Sequence, residues 1–186
     1  VFPGTCFEYA FQDKPLKETD IIFPKTTYAK CKNHLRELAE LYCVNNDISF
    51  GWGRIFYVYG HKENEKRLTA YIINNLKQNN EIVIKNGNLM RDYMYSKDIA
   101  YCFAKFLDSD ITGAVNICTG KSITLADYAS IIAEKLNKDK LVIIKNEETS
   151  QPANIIGDNT KLMSIIQTDL IFDIKRRIND YIREEI

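Results

Sequence analysis

The chain has 186 residues, 45% hydrophobic and 27% charged, with 25 Lys and Arg balancing 25 Asp and Glu. This composition excludes a disordered chain, and the balanced charge excludes the basic footprint of a nucleic-acid binder. No apolar run approaches the roughly 18 residues of a membrane span, and no basic segment leads into an apolar stretch as in a secretory leader. A cytoplasmic protein that touches neither membrane nor nucleic acid is expected. The chain opens on Val1-Phe2-Pro3-Gly4, which reads as the end of a buried strand, as though the sequence starts inside a fold.

Residues 5–24 are polar and irregular, with Pro15 and Pro24. Leu35, Leu38, Ala39 and Tyr42 then recur with a 3.6-residue period, predicting a helix from about Thr27 to Val44 that Asn45-Asn46 stops. Ile48 to Tyr59 alternates and is rich in aromatics, predicting one strand closed by Gly60. A second helix is expected over 66–80, with Leu68, Ile72 and Leu76 on one face. Ile82 to Ile84 reads as a short strand, 85–88 as a turn and 92–95 as another short strand. A helix over Lys97–Leu107 and a strand over Gly113–Cys118 follow. Thr124 is a suitable cap for a helix from Leu125 to Leu136, with Asp127 favouring its positive end. Leu141 to Ile144 is a strand, and helices near 160–167 and 173–184 complete the order. Strands alternating with helices predict an α/β fold with parallel strands. There is no G-x-G-x-x-G and no P-loop, so no cradle of backbone amides for phosphate is expected in this chain.

The five cysteines, Cys6, Cys31, Cys43, Cys102 and Cys118, are odd in number and widely spaced. They fit reduced core residues better than a disulfide framework. With His34 and His61 they form no metal-ligand spacing, so no metal is expected.

Tyr28 and Lys32 form a Tyr-x-x-x-Lys pair, which on a helix puts both side chains on one face. A lysine ammonium close to a phenol in water-poor surroundings favours the phenolate. It can therefore turn a weak acid into a working acid/base, with a neighbouring hydroxyl orienting the substrate oxygen. The spacing occurs three times, at Tyr28/Lys32, Tyr93/Lys97 and Tyr101/Lys105. Tyr93/Lys97 straddles a strand-to-helix junction, and Tyr101/Lys105 lies among apolar neighbours. Tyr28 alone follows a strand end bearing a hydroxyl, Thr5, then a polar loop and Pro24.

Gly4-Thr5-Cys6-Phe7-Glu8-Tyr9, followed by Pro24-x-x-x-Tyr28-x-x-x-Lys32, resembles the second half of an extended short-chain dehydrogenase/reductase. More narrowly, it is similar to the NAD-dependent epimerase/dehydratases that act on nucleotide sugars. Four further blocks match in order: 54–60 (Arg-Ile-Phe-Tyr-Val-Tyr-Gly), 87–100 with Arg91-Asp92 and Asp98, 113–120, and Asp158-x-x-Lys161. The resemblance implies a partial Rossmann-like parallel sheet, lacking its N-terminal βαβ units, with a small C-terminal α/β substrate lobe. Residues 1–60 would belong to the cofactor-binding domain and 61–186 mainly to the substrate lobe, with about 92–118 returning to the core sheet.

Roles follow from the same resemblance. Tyr28 would be the acid/base, and Lys32 its partner and a holder of the nicotinamide ribose. Thr5 would bond the reacting sugar oxygen, and Phe56 would pack near the nicotinamide. Tyr57 and Arg91 would meet the substrate, with Arg91 on its diphosphate. The cofactor would be NAD or NADP, and the partners a nucleotide-diphosphate sugar and a second copy in a homodimer. The glycine-rich turn of the family is missing, which speaks against dinucleotide binding by this chain alone.

Departures narrow the activity. Dehydratases carry Asp-Glu directly after the catalytic hydroxyl residue, where this chain has Cys6-Phe7. Dehydration is therefore disfavoured against a nucleotide-sugar epimerase or 4-keto reductase. Tyr57 replaces a substrate-contacting Asn, and 151–157 (Gln-Pro-Ala-Asn-Ile-Ile-Gly) lacks the usual Arg. A competing reading is a truncated, inactive fragment that self-associates. Outside the motifs, Arg91-Asp92 could be a surface ion pair. Trp52 reads as a packing aromatic, and 175–185 as a solvated helix face.

Overall fold

The structure, a computed structural model, describes residues 1–166 and 172–184. Three parallel strands form its central sheet in the order β1 (Phe2–Thr5), β2 (Gly51–Ile55), β7 (Gly113–Ile117). The crossover from β1 to β2 is α1 (Thr27–Asn45), whose first turn is capped by the Thr26 side chain accepting from the Ala29 N–H at 3.1 Å. Between β1 and α1 the chain makes a 3-10 turn at Cys6–Glu8 and an irregular excursion.

The expected strand over 48–59 is two strands. β2 ends at Ile55 and β3 (Tyr57–Tyr59) begins after Phe56. The Phe56 N–H donates to the Ile117 carbonyl of β7, whereas the next N–H, of Tyr57, donates to the Asp92 carbonyl. The backbone thus changes partners at one residue, because β3 pairs in parallel with β6 (Tyr93–Tyr95) instead of β7.

Beyond this switch lies α2 (Leu68–Lys77), with its expected face buried at Ile72 and Leu76. β4 (Ile82–Ile84) pairs in parallel with β9 (Val142–Ile144). α4 (Leu125–Leu136) starts at Thr124, whose side chain accepts from the Asp127 N–H at 3.0 Å. Three two-residue strands were not expected: β5 (Met90–Arg91) lies between β10 (Asn154–Ile155) and β8 (Ile123–Thr124). α3 (Ser96–Leu107) returns the chain to β7.

α5 (Thr160–Ile166) covers the expected 160–167 except Gln167, which lies outside the described residues. α6 (Ile174–Glu184) corrects the expectation of a purely solvated face. Arg177 forks onto Asp98 with bonds of 2.6 and 2.8 Å and so ties α6 to the first turn of α3. Glu185, also read as part of that face, lies outside the described residues.

The core is in separate clusters. One gathers Ile72, Leu76, Tyr93, Tyr128 and Ile178 around α2, α4 and α6. Another packs α3 and α5 against β7 through Phe106, Val115 and Leu162. A third, with Cys6, Leu16, Phe56 and Cys118, lies where the strand switch occurs. Cys6, Cys43, Cys102 and Cys118 are buried, while Cys31 is exposed, and all five are unpaired. Among the described residues no helix is long and apolar enough to cross a membrane, and no metal-binding group of His, Cys, Asp and Glu occurs.

Candidate functional site

β1 delivers Thr5 to the C-terminal end of the central sheet, level with Ile55 of β2. There the chain turns at once. The Thr5 side chain accepts from the Phe7 N–H at 3.3 Å, and the Glu8 carboxylate accepts from the Thr5 N–H at 2.9 Å. This reciprocal cap holds Thr5 nearly buried, 4% exposed.

Tyr28 opens α1 and is 56% exposed. One turn on, the Lys32 ammonium donates to the Pro3 carbonyl of β1 at 3.1 Å, which anchors the helix to the strand beside Thr5. The other two Tyr-x-x-x-Lys pairs differ. Tyr93 sits in β6 and Lys97 in α3, so they share no helix face. Lys105 lies over the ring of Tyr101 at 5.9 Å on α3.

Thr5, Tyr28, Phe56 and Tyr57 line one cavity of about 220 Å³. Arg67, just before α2, is a further wall residue that the sequence did not single out. Phe7 adds an aromatic wall, with its ring 6.0 Å from that of Tyr57. Burial pushes the Tyr57 phenol above its ordinary range, so it stays protonated. Lys32 and Arg91 do not line this cavity.

Arg91 is 2% exposed, with its guanidinium 5.6 Å from the Tyr57 ring centroid. It donates to the Pro152 carbonyl at 3.0 Å and to the Gln151 side chain at 3.2 Å. Asp92 is fully buried and gathers the Thr119 N–H and hydroxyl, at 2.9 and 2.6 Å, and the Gly120 N–H at 3.0 Å. The two are therefore not a surface ion pair: both side chains are buried, and each has its own partners. Burial pushes the Asp92 carboxyl up to about 6, against the pull of its hydrogen bonds from Thr119 and Gly157.

Beneath Thr5 lies a buried polar group. Arg54 pairs with Glu8 at 2.9 Å, and both side chains are almost wholly inaccessible. Arg54 also donates to the Tyr9 hydroxyl, which donates to Asn116 at 2.7 Å. Trp52 is buried as expected, and its indole N–H additionally donates to Glu8 at 3.0 Å. Gly4 is required here, because a Cβ would run into the Trp52 indole. In the Asp158-x-x-Lys161 block, Lys161 bonds the Ala114 carbonyl at 2.7 Å, so it braces β7.

Known proteins share this fold. Residues 1–118 match the model of the NAD dependent epimerase/dehydratase family. The chain is 27% identical over 120 residues to CDP-abequose synthase of Salmonella muenchen, covering 62% of this chain and 41% of that protein. Among solved structures it resembles UDP-N-acetylglucosamine 4-epimerase from Methanobrevibacter ruminantium M1 in complex with UDP-N-acetylmuramic acid. There the TM-score is 0.89 at 21% identity, over 98% of this chain and 61% of the other. It also resembles RMD from Pseudomonas aeruginosa complexed with NADPH, with a TM-score of 0.86 at 16% identity, over 99% and 66% of the two chains. The fold is thus that of Rossmann-like epimerases and dehydratases. The chain spans about half the length of the curated relatives it matches, 41% to 56%. By its family match over residues 1–118, the chain belongs to the NAD dependent epimerase/dehydratase family.

Proposed function

We propose that this chain carries the catalytic and sugar-holding groups of a nucleotide-sugar epimerase or 4-keto reductase. The observation that carries the reading is the shared cavity of Thr5, Tyr28, Phe56 and Tyr57, drawn from separate segments of the sequence. A secondary alcohol of the sugar lies between Thr5 and Tyr28. Tyr28 moves the hydroxyl proton, Thr5 bonds the same oxygen, and Lys32 keeps the local charge positive and meets the nicotinamide ribose. A bound nicotinamide supplies or takes the hydride. Tyr28 and Phe56 fit that end of an NAD or NADP molecule, since a half-exposed phenol and a buried aromatic ring line one opening, with the Lys32 ammonium held on the Pro3 carbonyl next to its wall residue Gly4.

The sugar's diphosphate is held by Arg67 on the cavity wall, with Arg91 behind Tyr57. Dehydration is disfavoured: burial pushes the Cys6 thiol far above its ordinary range, and Phe7 has no titratable group, so neither moves protons. Residues 1–60 form the cofactor side and 61–186 mainly the substrate side, with 92–118 passing back to the central sheet. The unpaired thiols suit a reducing, cytoplasmic setting.

A homodimer is the proposed assembly. α1 buries Ala29, Asn33 and Cys43 and leaves Leu38, Leu41, Tyr42 and Val44 at 59% to 67% exposure. Such an apolar stripe suits a second copy of the same helix.

The test is titration of NADH and NADPH by fluorescence, then turnover of UDP-, CDP- and dTDP-hexoses followed at the nicotinamide absorbance. Saturable binding and turnover that Tyr28→Phe abolishes are expected when this chain is joined to a glycine-rich dinucleotide-binding segment. No dinucleotide binding and no turnover would favour the competing reading of an inactive chain.

A further inference from the structure

We infer that Glu8 is a positioning residue for Thr5, fixing which way the threonine hydroxyl presents its proton. The inference rests on the reading of Thr5 as the group that bonds the sugar oxygen. Glu8 is 0% exposed, and both its oxygens are occupied. Oε1 accepts from the Thr5 N–H at 2.9 Å and the Trp52 indole at 3.0 Å. Oε2 accepts from Arg54 Nε at 2.9 Å and from the same indole at 3.1 Å.

This carboxylate cannot swing. Arg54 is itself held by the Tyr9 hydroxyl at 2.9 Å and the Glu18 carbonyl at 3.1 Å. The Thr5 backbone is therefore pinned from below by a fixed charge, and the 3-10 turn it starts is closed at both ends. That turn brings the Phe7 N–H onto Thr5 Oγ1 at 3.3 Å. An oxygen that accepts there turns its own proton away from that N–H, and Thr5 lines the cavity, where a sugar oxygen can receive it. Thr5 then donates to the sugar oxygen, while Tyr28 takes or returns the proton. A buried ion pair adds little net stability over apolar packing of the same size. The value of this pair lies in the geometry it fixes.

Four variants test the inference: Glu8→Gln, the charge-balanced double variant Glu8→Val with Arg54→Met, Thr5→Ala alone, and Thr5→Ala combined with that double variant. The double variant removes both buried charges together, so it is expected to fold. One readout is kcat and KM with UDP-, CDP- and dTDP-hexoses in the presence of NADH. The other is amide hydrogen exchange at Thr5 and Phe7, which needs no turnover.

The Glu8 variants are expected to lower kcat by roughly tenfold to a hundredfold with KM within about twofold. The double variant should add no further loss to Thr5→Ala, because both act through one hydroxyl. Exchange at Thr5 and Phe7 should speed up, while that of β2 is unchanged. Unchanged exchange at both amides overturns the inference, as does a kcat loss that multiplies with that of Thr5→Ala. Full turnover in Thr5→Ala would instead overturn the reading of Thr5 itself. If none of the hexoses is turned over, the exchange result decides.

Discussion

Arg91 and Asp92 are neighbours in sequence, both buried, and bonded to different parts of the fold. The guanidinium of Arg91 reaches the carbonyl of Pro152, and the carboxylate of Asp92 collects N–H groups of Thr119, Gly120 and Gly157. One dipeptide therefore ties three returning segments together next to the cavity.

This division separates two arginines by experiment. Arg67→Ala removes an exposed cation from the cavity wall, so it should raise KM for a nucleotide sugar by about tenfold and leave the melting temperature unchanged. Arg91→Met should instead cost about 3 kcal/mol of stability, because the carbonyls it serves lose a buried donor. Thermal unfolding and initial rates on the same preparations check both.

Asp92 sets a pH dependence of stability. Its folded value of about 6 lies above the ordinary 3.8. The folded state therefore binds the proton more tightly, and the stabilisation it gives is full below about pH 4. It is lost as pH rises through about 6, a change of roughly 3 kcal/mol. Urea unfolding between pH 4 and 7 should show this slope, and Asp92→Asn should flatten it.

Tyr28→Phe should lower kcat by on the order of a thousandfold with circular dichroism and melting temperature unchanged. The ring is half exposed, so its hydroxyl carries little packing. Retention of full turnover would remove Tyr28 from the chemistry.

Leu38→Asp combined with Leu41→Asp should convert a dimer to a monomer in sedimentation velocity without loss of helix. Both side chains are largely exposed in the single chain, at 67% and 59%. An unchanged sedimentation coefficient would show that α1 is not the contact.

Much of this fold was legible because long helices announce themselves. α1 carries apolar periodicity stopped by Asn45-Asn46, and α4 combines such periodicity with a capping threonine at 124. The strand switch at Phe56 was hidden, since no proline, glycine or polar turn residue separates Ile55 from Tyr57. β5, β8 and β10 have two residues each, too few to carry a period. At the site, Thr5 and Tyr28 could be named from motif order. Arg67 was lost in a charged loop, His-Lys-Glu-Asn-Glu-Lys-Arg, that reads as solvated. Glu8 was missed because a glutamate is expected at the surface, and its partner Arg54 is 46 residues away. The available signal was a lone arginine inside the otherwise uncharged segment that became β2.

The change of partners at Phe56 sets a ruler. Phe56 hangs from the central sheet by its N–H, and Tyr57 hangs from the β5–β6 segment by its own. Two walls of the cavity, one tied to each layer, are thus consecutive residues, with Cα atoms about 3.8 Å apart. Covalent geometry, and not the packing of one layer on another, fixes that spacing. Sliding of the two layers would turn the walls about the φ and ψ bonds flanking one rigid peptide and leave their Cα separation constant.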